Sequence, residues 1–273
     1  MVLRFFLLAV ILLFASCTEM GERSNPDDPR GINYRGGQIS SISSSHEESS
    51  SSSADGTLPS SSSTTQSSSS VMVVGIIGPN VYCQGKYYKT VIIGSQTWMA
   101  ENLNSAIEGS VCYGGDAANC ETYGRLYSWA TAMNLHIGCN TSSCAALTSS
   151  KHQGICPKDW HIPSKEDWNT LMNAAGGAEF AGYKLKTRSG WTNSEGKPEG
   201  NGYDTFGFSA QPGGYGYSNS GFSFVGNQGI WWSTSEVTDP VAIGFGVYFF
   251  KEDAYITDWA KSNLFSIRCV KDD

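Results

Sequence analysis

The stretch CPKDWHIPSKEDWNTLM, residues 156–172, gathers Cys156, His161, Glu166 and Asp167 beside two tryptophans. Nucleophilic, acid–base and metal chemistry are all built from these residue types, and each has a geometric requirement. A zinc site needs several converging ligands. Beyond the serine-rich segment the only other histidines are His136 and His152, neither lies four residues from His161, and there is no H-E-x-x-H. A glycosidase needs two carboxyl groups flanking the scissile bond, which neighbours on one helical turn do not supply. G-x-S-x-G, P-loop and G-x-G-x-x-G motifs are absent as well.

A structural account of the stretch is sufficient. Pro163 disfavours helix at Ile162, and Ser164 then stands at an N-cap with Asp167 three residues on, a shortened capping box. Glu166 and Asp167 complement the dipole of the first turn. Trp168, Leu171, Met172 and Ala175 form an apolar stripe, and Gly176-Gly177 stops the helix. His161, between Trp160 and Ile162, reads as a buried, hydrogen-bonded spacer. No catalytic residue, metal or cofactor is assigned.

The other elements that position side chains follow from periodicity. VMVVGII (71–77) and YYKTVIIG (87–94) read as strands. ETYGRLYSWATAMN (121–134) reads as one helix, with Tyr123, Leu126, Tyr127, Ala130 and Met133 at helical spacing. Short strands are expected at FGFSAQ (206–211), GIWWSTS (229–235), IGFGVYFF (243–250) and NLFSIRCV (263–270). Two helices followed by short strands indicate an α+β domain, spanning 71–273.

Upstream, residues 1–16 (MVLRFFLLAVILLFAS) carry one charge and an apolar run too short to span a bilayer, with the character of a secretory signal. LFASC (13–17) resembles a bacterial lipobox, with Phe14 where Leu is usual. The resemblance implies a lipoprotein signal peptide cleaved before Cys17 and a diacylglycerol on its sulfur; ordinary cleavage after Ser16 is the alternative. Residues 17–70 are dominated by serine and polar turn formers, too poor in apolar groups to offset the entropy of ordering. They read as a disordered tether with a reach of about 40 Å. The expected address is the cell envelope, as an outer-membrane lipoprotein facing outward, with the membrane engaged through the N-terminal lipid. A net charge of −7 without a basic stripe argues against nucleic acid as a partner.

Secretion permits disulfides. Of eight cysteines, seven follow Cys17, an odd number. Cys112/Cys120 and Cys139/Cys144 are local pairs by spacing. Cys156 and Cys269 would then close the second half of the domain, leaving Cys83 unpaired, either buried or open to another chain. Sequence alone leaves the connectivity open, and Cys-x4-Cys at 139–144 is also a weak zinc-like spacing.

Seven segments occur in order: IGSQTWMAENLN (93–104), YGRLYSWATAM (123–133), CPKDWHIPSKEDWNTL (156–171), AGYKLKTRSGWTN (181–193), YDTFGFSAQPGG (203–214), GIWWSTSE (229–236) and FSIRCVKD (265–272). Together they resemble the Fibrobacter succinogenes major paralogous domain, over about residues 81–272. WHIPSKEDWNTLMNAAGG and FSIRCVKD also resemble, at a greater distance, two stretches of the formylglycine-generating enzyme family. That likeness implies a C-type-lectin-like architecture: one domain with two helices, a small twisted antiparallel sheet and long Gly/aromatic-rich loops, stapled by disulfides. The enzyme family's copper-binding cysteine pair has no counterpart, because Cys269 is the only cysteine after Cys156. The lectin calcium motifs are not intact either, since QPGG (211–214) lacks the acidic ligand.

These features point to a surface-displayed binding module, for polysaccharide or another envelope ligand. The candidate ligand-binding residues are Tyr215 and Tyr217 in GGYGYSNSGF (213–222) and Trp231 and Trp232 in GIWWSTSE. Rigid aromatic rings lose little entropy on binding. Neighbours on a strand face opposite ways, so one of Trp231 and Trp232 is expected in the core and the other near the surface. A structural role in contact with envelope proteins is the alternative. An enzyme related to formylglycine-type oxidases, or a hydrolase in which Asp204, Glu236 and Asp239 converge, is the third reading.

Overall fold

A computed structural model describes residues 75–218 and 221–273. The signal peptide, Cys17 and the serine-rich tether therefore lie outside the described residues. So does the first half of the strand expected at 71–77.

Two five-stranded sheets and four helices make up the described chain. The first sheet is built from β1 (Ile76–Cys83), β2 (Lys86–Ile93), β3 (Gln96–Met99), β4 (Trp160–His161) and β10 (Val270–Lys271), in the order β1-β2-β3-β10-β4. The second contains β5 (Gly213–Gly216), β6 (Phe222–Val225), β7 (Gln228–Thr238), β8 (Val241–Tyr248) and β9 (Ala254–Ala260), ordered β6-β5-β7-β8-β9. Its long strands β7, β8 and β9 form an antiparallel meander. β5 meets β7 in parallel, at Gly214 and Gly229. The α+β class holds, but with more helices and sheets than expected and, among the named strands, one parallel pair.

The helix over 165–174 (α3, Lys165–Ala174) starts as its sequence indicates. Ser164 Oγ accepts from the Asp167 amide at 3.2 Å, and the Asp167 carboxylate accepts from the Ser164 amide at 2.9 Å. Gly176 and Gly177, both at φ 97°, end it in a conformation suited to glycine. They lead into α4 (Ala178–Leu185), which was not expected.

The helix expected over 121–134 is instead two short ones, α1 (Ala117–Tyr123) and α2 (Trp129–Ala132). Gly124, at φ 77°, breaks the run where any Cβ would press on Asn102 and the Leu103 carbonyl. Leu126 and Tyr127 then bridge to Val111 and Phe265, and Ser128 caps the new helix. FGFSAQ (206–211) is not a strand. The Asp204 carboxylate accepts from both the amide and hydroxyl of Ser209 at 2.8 Å, folding the segment into a turn. NLFSIRCV reaches regular pairing only at β10 and otherwise makes single bridges to Gly216, Tyr127 and Trp231.

Two apolar clusters lie on opposite faces of the second sheet. One packs Trp232, Phe265, Trp129, Tyr127 and Ile230, the other Trp231, Phe245, Trp168, Trp98 and Phe208. Disulfides join Cys112–Cys120, Cys139–Cys144 and Cys156–Cys269. Cys83, expected to stay unpaired, is not a free thiol. Its sulfur is fully buried, 4.0 Å from the Ser105 hydroxyl. No described helix is long and apolar enough to cross a membrane.

Candidate functional site

The opening stretch resolves into an ion-pair cluster around a buried His161. His161 Nδ1 lies 2.5 Å from Asp272 Oδ1, and Nε2 lies 3.2 Å from Asp167 Oδ2. With carboxylates at both nitrogens, both must donate, so the ring is held as an imidazolium. Burial opposes that charge, but the bonds to Asp167 and Asp272 outweigh it and raise the pKa of His161 above 6.5. Burial likewise opposes ionisation of Asp167, yet His161 and Ser164 together hold its carboxyl below 3.8. The cluster ties α3 to β4 and the end of the C-terminal strand, and Asp167 Oδ1 also accepts from Gln96 Nε2 at 3.0 Å.

Its pH dependence follows from the two signs. The raised His161 stabilises fully below about 6.5 and loses that contribution as pH rises through its folded value. The depressed Asp167 stabilises fully above about 3.9 and loses it as pH falls through its own. The expected result is a melting-temperature difference between wild type and His161→Gln that is greatest between about pH 4 and 6.5 and shrinks above that window. An equal difference at about pH 5 and pH 9 contradicts the imidazolium assignment.

The carboxylates considered for hydrolysis have separate local duties. Glu236 Oε1 pairs with Lys261 Nζ at 2.8 Å, with both side chains almost fully buried, and Oε2 accepts from the Cys144 amide at 3.0 Å. Asp204 shapes the Ser209 turn, and Asp239 precedes the cis proline Pro240 at the β7–β8 turn. Among the described residues no group of three or more His, Cys, Asp or Glu side chains is placed to hold a metal.

Trp231 and Trp232 are both fully buried, so the expectation of one ring near the surface is corrected. Trp231 Nε1 donates to Asn102 Oδ1 at 2.8 Å and Trp232 Nε1 to the Tyr127 carbonyl at 2.8 Å. The strand alternation is intact, but this part of the sheet is covered on both sides. The segment carrying Phe265, whose ring lies 4.2 Å from that of Trp232, forms one cover. Neither tryptophan presents a face to a ligand.

Beyond that cover the same face of the sheet is open and aromatic. Register places Gln228, Ile230 and Trp232 of β7 opposite Tyr248, Gly246 and Gly244 of β8. Gly246, Gly244 and Ala242 lie opposite Tyr255, Thr257 and Trp259 of β9. Gly244 and Gly246 make the arrangement possible. A Cβ on Gly246 would enter the Tyr255 ring, and one on Gly244 would stand 2.7 Å from Trp259 Cδ1. Both rings therefore lie down across β8.

Tyr215 joins this surface, 5.7 Å from Trp259 and stacked at 5.6 Å on Phe224. Its hydroxyl is 2.9 Å from that of Tyr217. Phe224 has φ 65°, unusual for a bulky residue. Ser223, not Phe224, opposes Tyr215 in the ladder, so the left-handed turn brings the Phe224 ring to the Tyr215 side. Tyr255 stacks on Tyr248 at 5.3 Å, Tyr248 touches Phe250 at 5.4 Å, and Gln228 Nε2 donates to the Tyr255 hydroxyl. Tyr217, Phe224 and Phe250 are 37%, 46% and 60% exposed, whereas Tyr215 is mostly buried as their support. Gln228 Oε1 and Trp259 Nε1 have no hydrogen-bond partner among the described residues.

Sequence reasoning found Tyr215 and Tyr217 but missed Phe224, Tyr248, Phe250, Tyr255 and Trp259. A signal was present: glycines two apart in IGFGVYFF, facing aromatics four apart in AYITDWA (254–260). Alternate glycines on one strand leave space that rings of the neighbouring strand fill.

Two concave regions lie elsewhere. One, of about 560 Å³, is lined by Lys86, Lys89, Glu101, Asn102 and Gln211 among others. Within it Lys86 pairs with Glu101 at 3.0 Å, and Asn102 binds Arg268, Trp231 and Tyr123. The other, of about 1210 Å³, is a broad depression beside Ile107, Ile137 and Ile155. The aromatic face instead offers exposed rings with tyrosine hydroxyls between them.

The family model described as Fibrobacter succinogenes major domain matches residues 91–271. No curated protein and no solved structure matches the chain.

Proposed function

This chain belongs to the Fibrobacter succinogenes major domain family, and on that premise we propose that it is a lipid-anchored binding module that engages polysaccharide through the aromatic face of its second sheet. The observation that carries this reading is the set of rings held open on that face by Gly244, Gly246 and the left-handed Phe224. Sugar rings have apolar faces and hydroxylated edges, which match rigid aromatic faces interspersed with tyrosine hydroxyls. Rings already packed in place lose little freedom on binding. Cys17 carries the lipid in this reading, and the serine-rich segment 17–70 links it to the domain at the outer face of the envelope. The domain keeps a C-type-lectin-like architecture without that fold's calcium ligands.

The full mature chain is expected to be depleted from solution by an insoluble polysaccharide. Tyr217→Ala and Phe224→Ala should each weaken that retention by about tenfold, on the order of 1–2 kcal/mol, with unchanged melting. Trp232→Ala should instead lower the melting temperature, since that ring is core. Retention unaffected by both exposed-ring variants sinks the assignment. Contact with another envelope protein is the second reading, favoured by the sheet-edge strand β1, where Ile76 and Ile77 are exposed.

A further inference from the structure

We propose that the aromatic face takes an uncharged polysaccharide chain and discriminates against acidic and basic ones; this rests on the binding reading above and names the chemical class of its ligand. The positions that register places on this face are Gln228, Ile230, Trp232, Glu236, Ala242, Gly244, Gly246, Tyr248, Tyr255, Thr257 and Trp259. Tyr215, Tyr217 and Phe224 join them by ring contact. Glu236 is the one carboxylate among them, and it is almost fully buried and paired with Lys261 Nζ at 2.8 Å; the others carry no carboxylate, amine or guanidinium, on a chain whose net charge is −7.

The charged residues nearby in sequence are turned to other tasks. Asp258 sits between Thr257 and Trp259 but opposes Ile243, on the other side of the sheet. At the β8–β9 turn Lys251 pairs with Asp253 at 3.5 Å. The ammonium of Lys186 is buried behind that turn and committed to the carbonyls of Tyr248, Phe249 and Lys251, at 2.9–3.2 Å.

A uronate carboxylate or a glucosaminium amine laid on these rings would lose hydration and gain no opposite charge, which is unfavourable. A neutral sugar loses only hydroxyl hydration, and tyrosine hydroxyls replace it as both donors and acceptors. Burial pushes Tyr215 and Tyr255 well above the ordinary tyrosine range.

The test uses the full mature chain with insoluble xylan and β-glucan as neutral probes, polygalacturonate as the acidic one and protonated chitosan as the basic one. Thr257, exposed among the rings, is replaced by Glu and, as an isosteric control, by Gln. The neutral polymers should bind at least about tenfold more tightly than the charged ones. Thr257→Glu should lose about tenfold on the neutral polymers while Thr257→Gln stays within about threefold, with melting unchanged in both. Equal or tighter binding to polygalacturonate or chitosan overturns the charge assignment and leaves the binding reading standing. Neutral binding indifferent to Thr257→Glu also overturns it. Retention by none of the four polymers overturns the binding reading itself.

Discussion

Arg268→Met is expected to destabilise the domain by about 3–5 kcal/mol through loss of a buried hydrogen-bond network, read as a shift of the denaturant midpoint at constant slope. The guanidinium is fully buried, with no carboxylate within salt-bridge distance among the described residues. Nε and Nη2 donate to Asn102 Oδ1 at 3.1 and 2.6 Å. Nη1 donates to the carbonyls of Met99, at 3.2 Å, and Phe208, and Nη2 also reaches that of Ser209 at 3.3 Å. The plane lies 4.4 Å over the Phe208 ring. Burial lowers its pKa to about 9, which still leaves it charged at neutral pH.

Methionine fills much of the volume but leaves those carbonyls without a donor, each a buried polar group costing about 1–3 kcal/mol when unsatisfied. It also frees Asn102, which orients Trp231. Arg268→Lys should recover only part of the loss, since an ammonium lacks the planar fork that serves several acceptors at once. A midpoint shift equivalent to less than about 1 kcal/mol would contradict the view that this one side chain joins β3, the 204–209 turn and β7.

The second large effect belongs to the Cys156–Cys269 disulfide, whose partners are 113 residues apart. Closing a loop of that length in the unfolded chain is worth about 5 kcal/mol in the chain-entropy account, against roughly 2–3 for the two local bridges. The double variant Cys156→Ala/Cys269→Ala is therefore expected to lose the most stability of the three disulfide deletions, and Cys139→Ala/Cys144→Ala among the least. Cys156 stands just before β4 and Cys269 just before β10, strands that pair with each other, so the bridge also fastens the His161 cluster. Equal losses for all three deletions, measured by denaturation, would mean that loop closure does not dominate.

What was legible in the sequence was whatever local chemistry decides. The Ser164 cap, the glycine stop after α3 and the two local disulfide pairs needed only spacing and residue type, whereas Cys156–Cys269 was the remainder of a connectivity that the sequence left open. Features decided by distant contacts were not legible. Gly124 is tolerable inside a helix by periodicity, and only the approach of Asn102 and Leu103 makes it a break. Trp231 and Trp232 obey strand alternation, but no local pattern announces that Phe265 returns to cover one side while α3 covers the other. The aromatic face was half legible for the same reason. Tyr215 and Tyr217 stand in a conspicuous glycine-rich segment, whereas Tyr255 and Trp259 acquire meaning only once β9 is laid against Gly246 and Gly244.

Carbene footprinting of the full chain, free and loaded on insoluble xylan, tests most directly whether this face is where ligand sits. Labelling at Tyr217, Phe224, Phe250 and Tyr255 should fall on loading, with Trp231 and Trp232 unlabelled in both states. Protection confined to Lys86, Lys89 and Gln211 in the polar groove, or strong labelling of Trp232 in the free chain, would contradict it.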